Sequence, residues 1–88
     1  MLTPLALASY EGHKDCVKTL LHYRAAVEAR DPNNKTSLFF AAAEGHAEVV
    51  KCLLDHGANV THKDRTGQNL LDVAIKEGKV YVFYLLHL

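Results

Sequence analysis

Asp31–Lys63 reads DPNNKTSLFFAAAEGHAEVVKCLLDHGANVTHK, and it carries the signals of one complete supersecondary unit. Asp31-Pro32-Asn33-Asn34 supplies turn chemistry. Thr36 then offers a side-chain oxygen to the first turn of a helix, and Leu38 and Ala41 set an apolar stripe. Gly45 stops that helix after about two turns, because glycine takes the left-handed cap without steric cost. A second helix follows, with Val49, Val50, Leu53 and Leu54 inward and Glu48, Lys51 and Asp55 outward. Gly57 is its cap. Helices of this length are unstable alone and need a neighbour to pack on.

The residues on either side repeat the unit. Thr3, Leu5, Ala8, Glu11, Gly12 and His13 return as Thr36, Leu38, Ala41, Glu44, Gly45 and His46. Val17, Lys18, Leu20 and Leu21 return as Val50, Lys51, Leu53 and Leu54, and Ala25, Val27 and Asp31 as Ala58, Val60 and Asp64. These thirteen pairs all stand 33 positions apart, in one register without a gap. A weaker third copy runs through Asn69, Leu71, Ala74, Glu77 and Gly78 to Leu86. A fixed period of this size marks a stack of repeats in which each unit hides its apolar side on the next. Pro4 fits the first position of its helix. Asn34 and Gly67 are residue types that tolerate the positive φ a tight loop needs, and Val27 and Val60 are expected to point inward. Arg24 stands where Gly57 stands, so a bulky residue must take a left-handed cap, at a cost of about 1 kcal/mol.

The repeats make the 88 residues one domain, with units over about 1–30 (lacking its leading loop), 31–63 and 64–88 (truncated). Ten basic and ten acidic side chains cancel, which removes the bulk electrostatic argument for nucleic acid or an acidic membrane. Two cysteines without paired spacing form neither a disulfide framework nor a zinc site, so a reducing compartment, cytoplasm or nucleus, is expected. The register places Cys16 and Cys52 on the inner side of the second helices. The opening MLTPLALASYEGH lacks a cationic leader region, and its apolar run breaks at Glu11, which argues against a secretory signal. VYVFYLLHL is too short to cross a bilayer.

With those motifs in hand, the chain resembles the ankyrin-repeat family, whose 33-residue period and T-P-L-H-x-A signature it follows. The signature reads Thr3-Pro4-Leu5-Ala6-Leu7-Ala8, Thr36-Ser37-Leu38-Phe39-Phe40-Ala41 and Asn69-Leu70-Leu71-Asp72-Val73-Ala74. The second-helix pattern is nearly whole from Gly45-His46 to Ala58-Asn59-Val60. The resemblance implies an all-α solenoid of stacked helix-turn-helix pairs with short hairpin fingers. The signature histidine, which in the family ties helix starts together by hydrogen bonds, is replaced by Ala6, Phe39 and Asp72. A less stable array than an idealised one is therefore expected.

The resemblance also implies a non-catalytic module that binds a partner protein along the finger tips and the exposed, concave side of the first helices. Carried over residue by residue, that surface comprises Arg30, Pro32, Asn33 and Lys35 on one finger and Lys63, Arg65, Thr66 and Gln68 on the other. Tyr10, Glu11, Ala43, Glu44, Lys76 and Glu77 supply the helix face. Four of the finger residues are basic, while Asp31 and Asp64 are expected to be occupied by turn hydrogen bonds, so an acidic protein segment anchored near Tyr10 is the natural partner. The last copy departs from the pattern: Val80, Tyr81, Tyr84 and Leu88 replace the polar outer face with a continuous apolar stripe. Terminal repeats are normally polar outside. Further repeats, or a docked second chain, would cover this stripe. The alternative role is thus a regulatory or structural segment of a larger enzyme, channel or scaffold.

Six histidines invite a metal reading, but no H-E-x-x-H, C-x-x-C or cluster of ligands at one spacing occurs. His13 and His46 are explained by the repeat. No Ser/His/acid set, phosphate-cradling glycine loop or carboxylate pair can be assembled in a pocket. Neither catalysis nor a cofactor is expected.

Overall fold

The computed structural model describes residues 2–76 and 78–79. Among the described residues five helices follow one another: α1 (Pro4–Glu11), α2 (Lys14–His22), α3 (Ser37–Glu44), α4 (Ala47–Asp55) and α5 (Leu70–Lys76). Among the described residues there is no strand. The first helices α1, α3 and α5 pack in a row, and α2 packs on α4 behind them. The expected second helix of the third unit, with the stripe Val80, Tyr81, Tyr84 and Leu88, lies outside the described residues, as does Glu77.

The three glycine breaks are the same structure repeated. Gly12, Gly45 and Gly78 sit at φ +77°, +75° and +70°. The amide after each one reaches back to the helix: His13 to Ala8 O (3.0 Å), His46 to Ala41 O (3.0 Å) and Lys79 to Ala74 O (2.8 Å). Shape explains why glycine is needed at the first two. A Cβ on Gly12 would lie 2.6 Å from His46 Nδ1, and one on Gly45 would lie 2.9 Å from Lys79 Cδ. His46 and Lys79 are themselves 33 residues apart. The side chain at the same repeat position, His46 in one unit and Lys79 in the next, therefore lies over the break of the unit before it.

The helix starts are less uniform. Thr3 Oγ1 accepts from the Ala6 amide at 3.1 Å, with Pro4 in the first turn. Asn69 and Asp72 form a reciprocal box, in which the Asp72 amide donates to Asn69 Oδ1 (2.9 Å) and the Asn69 amide to Asp72 Oδ2 (3.2 Å). Asp72, standing at the signature-histidine position, thus caps its own helix. Thr36 departs from the expectation: it makes no side-chain cap bond. It is buried, and its Oγ1, like Ser37 Oγ and Ser9 Oγ, has no hydrogen-bond partner among the described residues. Phe39, at the histidine position of that unit, has no polar atom to offer.

The core runs through the stack from Leu5 and Val17 to Leu38, Phe39, Val50 and Leu53, and on to Leu70 and Ala74. Ala41 and Ala42 are completely buried, and their small side chains let the neighbouring helices approach. Two inward expectations fail. Cys16 is exposed, although its counterpart Val49 is buried. Val49 lies beside Gly12 and Lys14 of the unit before it, whereas no described unit lies on the matching side of α2. Cys52 is half-buried against the core, as the register requires. Val60 is 40 % exposed because it lines an open recess with Thr61, Lys63 and Leu71; its counterpart Val27 packs on the core.

Candidate functional site

Each finger is a closed turn. Asn34 N–H donates to Asp31 O (2.9 Å) and Asp31 N–H to Lys35 O (3.0 Å); 33 residues on, Gly67 donates to Asp64 O (3.0 Å) and Asp64 to Gln68 O (3.0 Å). The positive φ falls on Asn34 (+63°) and Gly67 (+86°). The aspartates brace both loops from inside. Asp31 Oδ1 accepts from the Asn33 and Lys35 amides at 2.9 and 2.8 Å. Asp64 Oδ1 accepts from the Thr66 amide (2.9 Å), the Thr66 hydroxyl (2.7 Å) and the Gln68 amide (3.0 Å). Burial pushes the Asp64 carboxyl up, but the Thr66 hydroxyl, the Gln68 and Thr66 amides and the Lys35 charge outweigh it, and its pKa is held below 3.8.

The fingers are also fastened to each other. Arg65 N–H donates to Asn33 O at 2.8 Å, Asn34 Nδ2 to Lys63 O at 3.0 Å, and His62 Nε2–H to Asn34 O at 2.8 Å. Because a carbonyl only accepts, this last bond fixes the proton on Nε2. The His62 ring stands edge-on to Phe39, with centroids 5.8 Å apart. On the helix side, His46 Nε2–H donates to Tyr10 O at 2.9 Å. This bond ties the start of α4 to the end of α1 and so fixes the backbone from which Tyr10 projects.

That framework places the proposed contact residues in separate neighbourhoods. Tyr10, 46 % exposed, meets Phe40 edge-on at 6.2 Å. Lys35, Ala43, Gln68 and Lys76 come together with Phe39, Phe40, Asp64 and Val73 around one recess of about 120 Å³. Arg30 and Lys35 flank a crevice of about 10 Å³ beside Leu2 and Asp31, room for one water at most. Pro32, Asn33, Arg65 and Thr66 are exposed at the finger tips, though the Thr66 hydroxyl is spent on Asp64. Lys63 belongs instead to the recess of Val60, Leu70 and Leu71. Glu44 is exposed at the end of α3, and Glu11 pairs with His13 at 3.5 Å.

Sequence reasoning passed over Phe40 and Val73, apolar residues that line the recess shared by Lys35 and Lys76. The signal was present: both sit at the repeat position of Leu7, two residues after the inward leucine, and Leu7 is 48 % exposed. Among the described residues no three metal-capable side chains gather, and no helix is long and apolar enough to cross a membrane.

Compared with known families, residues 5–88 match the model described as ankyrin repeats, three copies. Comparison with individually curated proteins gave no match. Proteins built of these repeats are generally protein–protein interaction modules and generally not enzymes. The period, the glycine breaks laid over one another and the family match agree, and the chain belongs to the ankyrin-repeat family.

Proposed function

We propose that the chain binds a partner protein along the open face of α1, α3 and α5 and the two finger tips, without catalysis. One observation carries this reading. Leu7 and Tyr10, 48 % and 46 % exposed, stand one turn apart on α1, and Tyr10 meets Phe40 of α3 edge-on, so the three make one aromatic and apolar strip across the first helices. Buried or half-buried aromatics ringed by polar groups are the usual anchors of protein interfaces. The fingers add Lys35, which shares a recess with Phe40, and the exposed Arg30 and Arg65, while both finger carboxylates are occupied by their own turns. An acidic partner segment suits that balance, and the basic tips speed its approach. A nucleic acid suits it less, since the chain as a whole is neutral. Exposed Cys16 is a free thiol, in keeping with a reducing, cytoplasmic or nuclear setting.

The test is a pull-down with the intact chain as bait, followed by titration of the captured partner. Lys35→Glu together with Arg65→Glu should weaken binding about tenfold or more and flatten its salt dependence. Unchanged affinity and unchanged salt dependence would refute the assignment.

A second reading has its own observation. Ile75 in the third unit and Val60 at the end of the second, 64 % and 40 % exposed, are large apolar side chains. They favour a role as a regulatory or scaffolding segment that packs on further chain through this end. In that case binding survives the finger reversals and is lost on Ile75→Asp.

A further inference from the structure

We infer that the recess between α3 and α5 is a side-chain pocket: it takes one apolar residue of an extended, acidic partner segment. This rests on the open-face reading above and assigns it a focus that the fingers alone do not have. Size decides the class of occupant. Small-molecule sites enclose about 300–1,000 Å³, whereas this recess holds about 120 Å³. An engineered apolar cavity of about 150 Å³ accommodates a benzene ring. There is room for one leucine- or phenylalanine-sized group and not for a whole ligand.

The lining decides its chemistry. Four of its lining residues, Phe39, Phe40, Ala43 and Val73, are apolar, and the other four, Lys35, Gln68, Lys76 and Asp64, are polar or charged. Neither lysine lies within ion-pair distance of a carboxylate among the described residues. Asp64 Oδ1 is saturated by three donors. The lining therefore carries two ammonium groups and one carboxylate, and although the Asp64 charge already draws on Lys35, the balance at the recess is positive. A carboxylate next to the anchoring side chain meets that balance favourably, and a second lysine or arginine does not. Position reinforces this: the recess continues the strip that begins at Leu7 and Tyr10, so an extended chain crossing α1 and α3 arrives over it.

The experiment is selection of a random twelve-residue peptide library displayed on phage against the intact 88-residue chain. Enriched peptides are then titrated against variants whose circular dichroism matches the parent. Ala43→Glu fills the recess and Lys76→Glu reverses a charge in its lining; Tyr10→Ala and Arg65→Glu probe the rest of the face. The expected result is a shared leucine, isoleucine or phenylalanine flanked by Asp or Glu, with binding reduced at least tenfold by Ala43→Glu and by Lys76→Glu. Peptides that depend on Tyr10 and Arg65 but ignore Ala43 and Lys76 would overturn the pocket and leave the open face standing. Peptides indifferent to all four changes would overturn both. Enrichment of basic peptides, or no enrichment, would overturn the pocket. So would self-association of the chain that Ala43→Glu abolishes, which would make a second copy the occupant.

Discussion

Arg24 and Asp64 show how single residues set the local energetics. Arg24 closes α2 at φ +64°, a conformation that a Cβ makes costly and that glycine enters freely. Gly57, its counterpart one unit on, sits at φ +82°. Arg24→Gly should raise stability by about 0.5–1 kcal/mol, the relief of strain being partly offset by the floppier unfolded chain. Urea unfolding checks this, and a loss of stability would mean that the Arg24 side chain holds something its exposure conceals. For Asp64 the direction follows from its lowered pKa. A carboxylate favoured by the fold contributes stability above its ordinary value of 3.8 and loses it as the pH falls through the lower, folded value. Between pH 6 and pH 3 the melting temperature of the parent should therefore fall further than that of Asp64→Asn. Parallel falls would show that the turn does not favour the charged form.

At the level of the element, the break between paired helices is a tight joint. Gly12 combines a positive φ with a neighbouring ring that leaves no space for a Cβ. Gly12→Ala should cost about 2–3 kcal/mol, the left-handed penalty and the displaced histidine together. Removing the ring as well, in Gly12→Ala/His46→Ala, should recover part of that loss. A near-neutral Gly12→Ala, measured by thermal or urea denaturation, would contradict the packing. This joint was legible in the sequence as a recurring Glu-Gly-His, but only as a helix stop. That His46 lies on Gly12, and Lys79 on Gly45, depends on how one unit sits on the next, and local pattern does not carry that. Thr36 marks the same limit. A threonine before an apolar run reads as a cap, yet here its hydroxyl is buried and unpartnered. The residue three places on, Phe39, has lost the polar ring that the signature provides.

For the molecule as a whole, a 33-residue identity pattern was enough to give the helix order, the row of first helices and the turns of both fingers. It was enough because a translated unit has one way to bury a translated stripe. Exposure at the ends was harder to read. Periodicity treats Cys16 like Val49 and Val60 like Val27, but burial at those positions depends on a neighbouring unit and not on the unit itself. The open face was legible as a list of positions and not as a shape. Arg30, Lys35, Lys63 and Arg65 look alike in the sequence, while the structure directs Lys35 to the recess beside Phe40 and Lys63 to the one beside Leu71.

All of these assignments rest on one unit laid on the next with the same contacts. A nuclear Overhauser spectrum of the chain reads those contacts directly. The account predicts cross-peaks from the His46 ring to the Gly12 α-protons and from the Lys79 side-chain methylenes to the Gly45 α-protons, with a third set between the His62 and Phe39 rings. Absence of the Gly12–His46 and Gly45–Lys79 pair, with helical amide contacts still present, would mean that the helices form without stacking in this register, and the account would fail.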